Sequence, residues 1–177
     1  MLANNRIEKV LISEEMIQTR VRVLGALISK DYAGLDLVFV SILKGGVYFL
    51  TDLTRNMTIP HVIDFMVVSS YGDSQETSGI VRMVKDLKED IRNRHVIVVE
   101  DIIDTGLTID YLLKYLQSRT PASLEVCSFL SKPSRRRIDV PIKYLGYEIE
   151  DKYAVGYGLD YKQQYRHLPF ICAFQPE

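Results

Sequence analysis

An excess of charge of either sign is the first thing this sequence lacks. Across 177 residues, 22 Lys and Arg stand against 23 Asp and Glu, a formal net charge of −1. A dedicated nucleic-acid or acidic-membrane binder carries a basic footprint; near-neutrality disfavours both and leaves room for a local basic pocket that takes a small phosphorylated ligand. Cysteine is scarce as well. Cys127 and Cys172 sit in the apolar stretches 124–130 and 171–174. They read as small buried hydrophobes, because a structural disulfide needs an oxidising compartment. The three histidines, His61, His95 and His167, are scattered, and none pairs with a cysteine at zinc spacing. No run approaches the roughly 18 apolar residues of a membrane span, and residues 1–10 lack the apolar core of a secretory signal. Repeats, low-complexity runs and linkers are missing too. What remains is the expectation of one cytoplasmic domain, 47% hydrophobic and 25% charged, long enough to bury its own core.

The patterns that are present alternate between two periods. Ser13 reads as a helix N-cap with Glu14 and Glu15 in the first turn, and Ile17, Val21, Leu24 and Ile28 follow at helical spacing. Leu37-Val38-Phe39-Val40 is a short apolar strand stopped by Lys44-Gly45-Gly46; residues 62–69 and 80–84 form a second and third strand-like run, an excursion resembling a hairpin. Between those two, the polar stretch 69–80 has no periodicity and reads as a surface loop or a lid. Val96-Ile97-Val98-Val99 is apolar on both faces, as a central parallel strand should be. Ile109, Leu112, Leu113 and Leu116 then mark a helix that ends before Pro121, and strands are expected at 124–130, 142–149 and 153–155. Strand–helix alternation in this order predicts an α/β fold, a central parallel β-sheet flanked by helices. The two ends, roughly 1–12 and 150–177, are left to make a small subdomain.

In open α/β sheets, ligands bind beyond the carboxyl ends of the strands. Glu100 and Asp101 follow the most apolar strand, and Asp104-Thr105-Gly106-Leu107-Thr108 leads straight into a helix. A glycine-containing turn at a helix start aims free N–H groups at an anion, and the hydroxyls of Thr105 and Thr108 add donors. Three carboxylates beside such a cradle repel a phosphate unless they serve its sugar or its metal. Glu100 and Asp101 can accept from vicinal ribose hydroxyls or approach a Mg²⁺ shared with phosphate oxygens. Asp104 is then left as a candidate general base or acid. Lys44-Gly45 and Lys132, in Ser131-Lys132-Pro133, end two further predicted strands. The lysine ammonium at 132 is a donor suited to a carbonyl oxygen. The neighbouring Arg135-Arg136-Arg137 reads as solvated or as a subunit contact.

The run from Val98 to Thr108 resembles the 5-phosphoribosyl-1-diphosphate signature of the type I phosphoribosyltransferases, and from about Glu8 onward the chain is similar to the hypoxanthine–guanine members. The resemblance implies that fold, with a hood over 1–12 and 150–177 and a flexible lid over 69–80. It gives the ribose hydroxyls to Glu100 and Asp101 and the 5′-phosphate to residues 104–108, with Leu107 merely part of the loop because relatives vary there. It gives the proton at purine N7 to Asp104. Lys44 and Gly45 become the diphosphate loop, with a cis peptide expected before Lys44; Arg166, Ser70 and Tyr71 join them on the diphosphate. Lys132, Tyr153 (Phe in many relatives), Ala154 and Asp160 become the purine site, and Glu100, Asp101 and Asp160 the Mg²⁺ ligands. The implied partners are 5-phosphoribosyl-1-diphosphate and a 6-oxopurine, hypoxanthine or guanine, acted on by a homodimer or homotetramer. A preference for xanthine or another base, an RNA-binding regulator of the same fold, or a nucleotide-binding module without chemistry are the alternatives. The near-zero net charge and the complete base site speak against the regulator.

Overall fold

The computed structural model describes residues 6–70 and 81–176. In chain order the elements are β1 (Ile7–Ile12), α1 (Glu14–Asp31), β2 (Leu37–Ile42), α2 (Gly46–Arg55), β3 (Val62–Ser70), β4 (Val81–Lys85), β5 (His95–Ile103), α3 (Leu107–Gln117), β6 (Ser123–Ser131), β7 (Tyr144–Glu148), β8 (Ala154–Val155) and β9 (Ile171–Phe174). The large sheet has the order β4-β3-β2-β5-β6-β7. Its strands β3, β2, β5, β6 and β7 run parallel, and β4 returns antiparallel along β3 at the edge.

Period-2 alternation explains why the sheet is covered on both faces. Phe39, Ile97 and Val99 point to the side where α1 and α2 pack; Val38, Val40, Val96 and Val98 point to the side of α3. The helices supply matching stripes. Ile17, Val21, Leu24 and Ile28 of α1 and Ile109, Leu112 and Leu116 of α3 are each 2% exposed or less. Ser13 caps α1 by accepting from the Met16 N–H at 3.2 Å, a cap whose loss to alanine costs about 1 kcal/mol.

Two features differ from the sequence reading. The central strand β5 does not stop before the acids: it stays paired with β6 through Glu100–Ser128, Ile102–Leu130 and Ile103–Ser131. A strand end is set by the partner that keeps pairing, and β6 continues to Ser131. At the chain ends, β8 lies where a strand was expected at 153–155, whereas β1 and β9 are strands that the sequence reading did not assign. β1 and β8 flank β9 in a three-stranded antiparallel sheet with its own small core of Val155, Leu168, Cys172 and Phe174. At four residues, β9 is too short to show a period, and its partner β1 is remote in sequence.

Candidate active site

The carboxyl ends of β2, β5 and β6 converge. At the end of β2 the Leu43–Lys44 peptide is cis, as the resemblance implies. Gly45 lies so close to Asp101 that a Cβ there would run into the carboxylate, and a Cβ on Gly158 would run into the Gly45 carbonyl. Backbone and carboxylate are therefore nested in a floor without side chains. Lys44 Nζ reaches Gln163 Oε1 at 3.0 Å. Arg166 pairs with Asp160 at 2.6 Å and donates to the Gly158 carbonyl at 2.6 Å, so Asp160, Arg166 and the glycine floor are one assembly.

Glu100 and Asp101 are held in this floor. Burial, and then the neighbouring Asp101, push the Glu100 carboxyl well above the usual carboxylate range. Burial pushes Asp101 up to about 6; Asp160 works in the same direction, and the Arg166 guanidinium works against it. Carboxyls so placed are short of cations. Among the described residues no group of three or more His, Cys, Asp or Glu converges as a ready cage. The carboxylate oxygens of Glu100, Asp101 and Asp160 are donors of the kind a hard divalent ion takes.

After β5, Gly106 adopts φ +84°, a conformation that glycine tolerates, and its carbonyl accepts from Asp110 N–H at 2.9 Å to open α3. Glu100, Thr105, Gly106, Thr108 and Arg137 line a pocket of about 300 Å³ at this helix start. Leu107, although it opens α3, does not line it. A larger cleft of about 800 Å³ is lined by Asp101, Lys132, Asp151, Tyr153, Ala154, Leu159 and Asp160. Lys132 is 7% exposed, whereas Tyr153 presents 44% of its surface, with its hydroxyl on the Asp160 carbonyl at 3.0 Å. Ile102, Asp104 and Arg135 line both cavities and form the partition between them. Ser70 closes β3; its side chain, Tyr71 and the rest of the expected lid to residue 80 lie outside the described residues.

Arg135 and Arg137 of the arginine run are exposed, as a solvated stretch should be, and Arg136 is partly buried, but the run is also bound to its neighbours. Segment 132–138 is laced along segment 103–105: Lys132 N–H donates to Ile103 O at 3.0 Å, and Arg137 N–H to Thr105 O at 2.9 Å. Arg136 donates to Ser131 Oγ at 2.7 Å, and Arg135 Nε to Asp104 Oδ1 at 3.0 Å. Asp151, given no role by the sequence reading, pairs with Arg135 at 3.5 Å and Lys132 at 3.8 Å. The available signal was position: these arginines follow a strand at its carboxyl end, where the acids of β5 also lie.

The phosphoribosyl transferase domain model matches residues 11–162. The chain is 46% identical over 165 residues to the hypoxanthine phosphoribosyltransferase of Salmonella typhimurium, covering 92% of this chain and 93% of that protein. It is 46% identical to the hypoxanthine-guanine phosphoribosyltransferase of Mycobacterium tuberculosis, with 96% and 87% covered. Among solved structures, a hypoxanthine phosphoribosyltransferase from Staphylococcus aureus superposes with a TM-score of 0.94 at 44% identity, over 99% of this chain and 97% of that one.

Proposed function

The chain belongs to the phosphoribosyl transferase domain family, and from that premise we propose that it moves the 5-phosphoribosyl group of 5-phosphoribosyl-1-diphosphate onto N9 of hypoxanthine or guanine. The products are IMP or GMP and diphosphate, a purine-salvage reaction. The observation that carries this reading is the pair of adjoining cavities sharing Asp104 as a wall. The smaller, at the start of α3, suits a phosphate monoester; the larger, with Lys132 and Tyr153, suits a flat base that carries a carbonyl oxygen.

On this reading residues 104–108 hold the 5′-phosphate through backbone N–H groups and the hydroxyls of Thr105 and Thr108. Glu100 and Asp101 accept from the ribose hydroxyls. Lys44, Gly45 and Arg166, with Ser70 and Tyr71 from the lid, take the diphosphate. Tyr153 stacks on the purine, Lys132 donates to O6, and the backbone of Ala154 and Asp160 reads the remaining edge. The small sheet and the segment leading to it, 150–177 with 1–12, act as the hood. Glu100, Asp101 and Asp160 are the side chains that would hold Mg²⁺, which when bound neutralises charge on the departing diphosphate. The N9–C1 bond forms as the C1–oxygen bond breaks and diphosphate leaves with the electron pair, while Asp104 takes the N7 proton. The protein's work is orientation, water exclusion and stabilisation of developing charge.

The same reading makes the protein a cytoplasmic homodimer or homotetramer. Among the described residues no helix is long and apolar enough to cross a membrane. The test is to supply protein, Mg²⁺ and 5-phosphoribosyl-1-diphosphate with hypoxanthine, guanine, xanthine or adenine separately and to measure nucleotide formed. Product is expected with hypoxanthine or guanine; product with adenine alone, or with none, overturns the assignment.

A further inference from the structure

Asp104 stands on a short loop with its side chain 38% exposed, so nothing about the backbone alone fixes where its carboxylate points. Arg135 does. Its Nε donates to Oδ1 at 3.0 Å, while no hydrogen bond or ion pair engages Oδ2 among the described residues. One oxygen is anchored and the other is left to accept a proton, whereas a bidentate grip would occupy both. Beyond Asp104 the guanidinium continues: Nη1 lies 3.5 Å from Asp151 Oδ2, and Asp151 Oδ1 lies 3.8 Å from Lys132 Nζ. The four charges alternate in sign. At the two ends of the chain stand Asp104 and Lys132, the groups assigned to N7 and O6, which are neighbours on one edge of the base.

We infer that Arg135 is a positioning residue of the transfer reaction, orienting the Asp104 carboxylate at the partition between the two cavities; this rests on the assignment of the N7 proton to Asp104. The charged groups around Asp104 are Arg135 from the segment after β6, with Asp151 and Lys132 behind it; Glu100 and Arg137, which line the smaller cavity with it; and Asp101, Asp160 and Lys162, which line the larger. The backbone bonds of Lys132 and Arg137 to Ile103 and Thr105 do not involve the Arg135 side chain. Partly exposed ion pairs contribute little to stability, so the side chain can be changed while the loop stays in place.

The experiment uses the full chain with Mg²⁺, 5-phosphoribosyl-1-diphosphate and hypoxanthine. Arg135→Met should lower kcat by about fivefold. The KM for 5-phosphoribosyl-1-diphosphate should stay within about twofold and Tm unchanged, because the guanidinium is engaged by Asp104 and Asp151 and a partly exposed pair stabilises little. Arg135→Lys should recover most of the rate. In an Asp104→Asn background, Arg135→Met should change kcat by less than about twofold, since the residue acts through a carboxylate already gone. Wild-type kcat in Arg135→Met, or an undiminished effect in the Asp104→Asn background, would overturn the inference while leaving the reading of the site intact. Wild-type turnover in Asp104→Asn alone would overturn both.

Discussion

The carboxyl ends of β5 and β6 lie side by side, paired as far as Ile103 and Ser131, and they contribute in different ways. The β5 end carries the groups with chemistry: a buried and a partly buried carboxyl, a glycine turn with positive φ, two hydroxyls and the start of a helix. The β6 end carries mostly cations, and their effect is geometric. Lys132 faces the base cleft, but Arg135 through Asp104 and Arg136 through the Ile103 carbonyl hold the β5 end from the side, and the backbone of 137–138 fits its shape by donating twice to Thr105. A loop that supplies reactive groups is thus held by a second loop that supplies little chemistry of its own. Pre-organisation of this kind separates binding groups from the groups that keep them in place.

Substitutions at the two ends should therefore differ in what they change. The largest effect is expected at Asp104. Asp104→Asn keeps the shape but cannot take the N7 proton, and kcat should fall by about a hundredfold or more; near wild-type Tm would show that the loss is chemical. Lys132→Met removes a buried donor facing the base cleft. Its KM for hypoxanthine should rise by roughly tenfold or more, with little change in KM for 5-phosphoribosyl-1-diphosphate; an equal rise in both would place Lys132 outside the base site.

The junction between the two ends comes next. An alanine at 106 would strain a φ of +84° and bring its Cβ against the Ile138 carbonyl. Gly106→Ala should lose about 1–2 kcal/mol of stability, read by denaturant unfolding. Its KM for 5-phosphoribosyl-1-diphosphate should rise while KM for the base does not. Smallest is a control remote from both ends. Burial opposes ionisation of Asp64, but N–H donors from Glu89, Phe65 and Lys88 outweigh it and, with Lys85, hold the carboxyl below its ordinary value. A depressed carboxyl contributes stability above the unfolded value near 4 and loses it as pH falls through the folded value. Wild-type stability should therefore decline below about pH 4, and Asp64→Asn should start lower at pH 7 and decline less; parallel curves for the two proteins would remove Asp64 from the acid response.

The comparison also explains what could be read from the residues alone. Acids directly after a run of valines and isoleucines are conspicuous, because charge at the end of a doubly buried strand has little to do there except bind. Three consecutive arginines after a lysine are not conspicuous, since cations mostly lie on solvated surface. Their use depends on the distance to Asp104 and Ile103, which are about thirty positions earlier in the chain, and no local pattern encodes that. The same limit hid β9: four apolar residues announce burial, but their pairing with β1 joins positions more than 150 residues apart. Long elements with one period, such as α1 and β5, were legible because each carries its own signal.

The nested backbone under the cleft bears on how such a site can diversify. Gly45 is pressed against a carboxylate and Gly158 against Gly45 itself, so two layers of the floor admit no side chain at all. Variation that reshapes the pocket has to enter through the opposite wall, at positions such as Lys132, Asp151, Tyr153 and Leu159. A mutational library aimed at a new base is best confined to those positions, with the glycines left fixed as the reference surface against which every new ligand must fit.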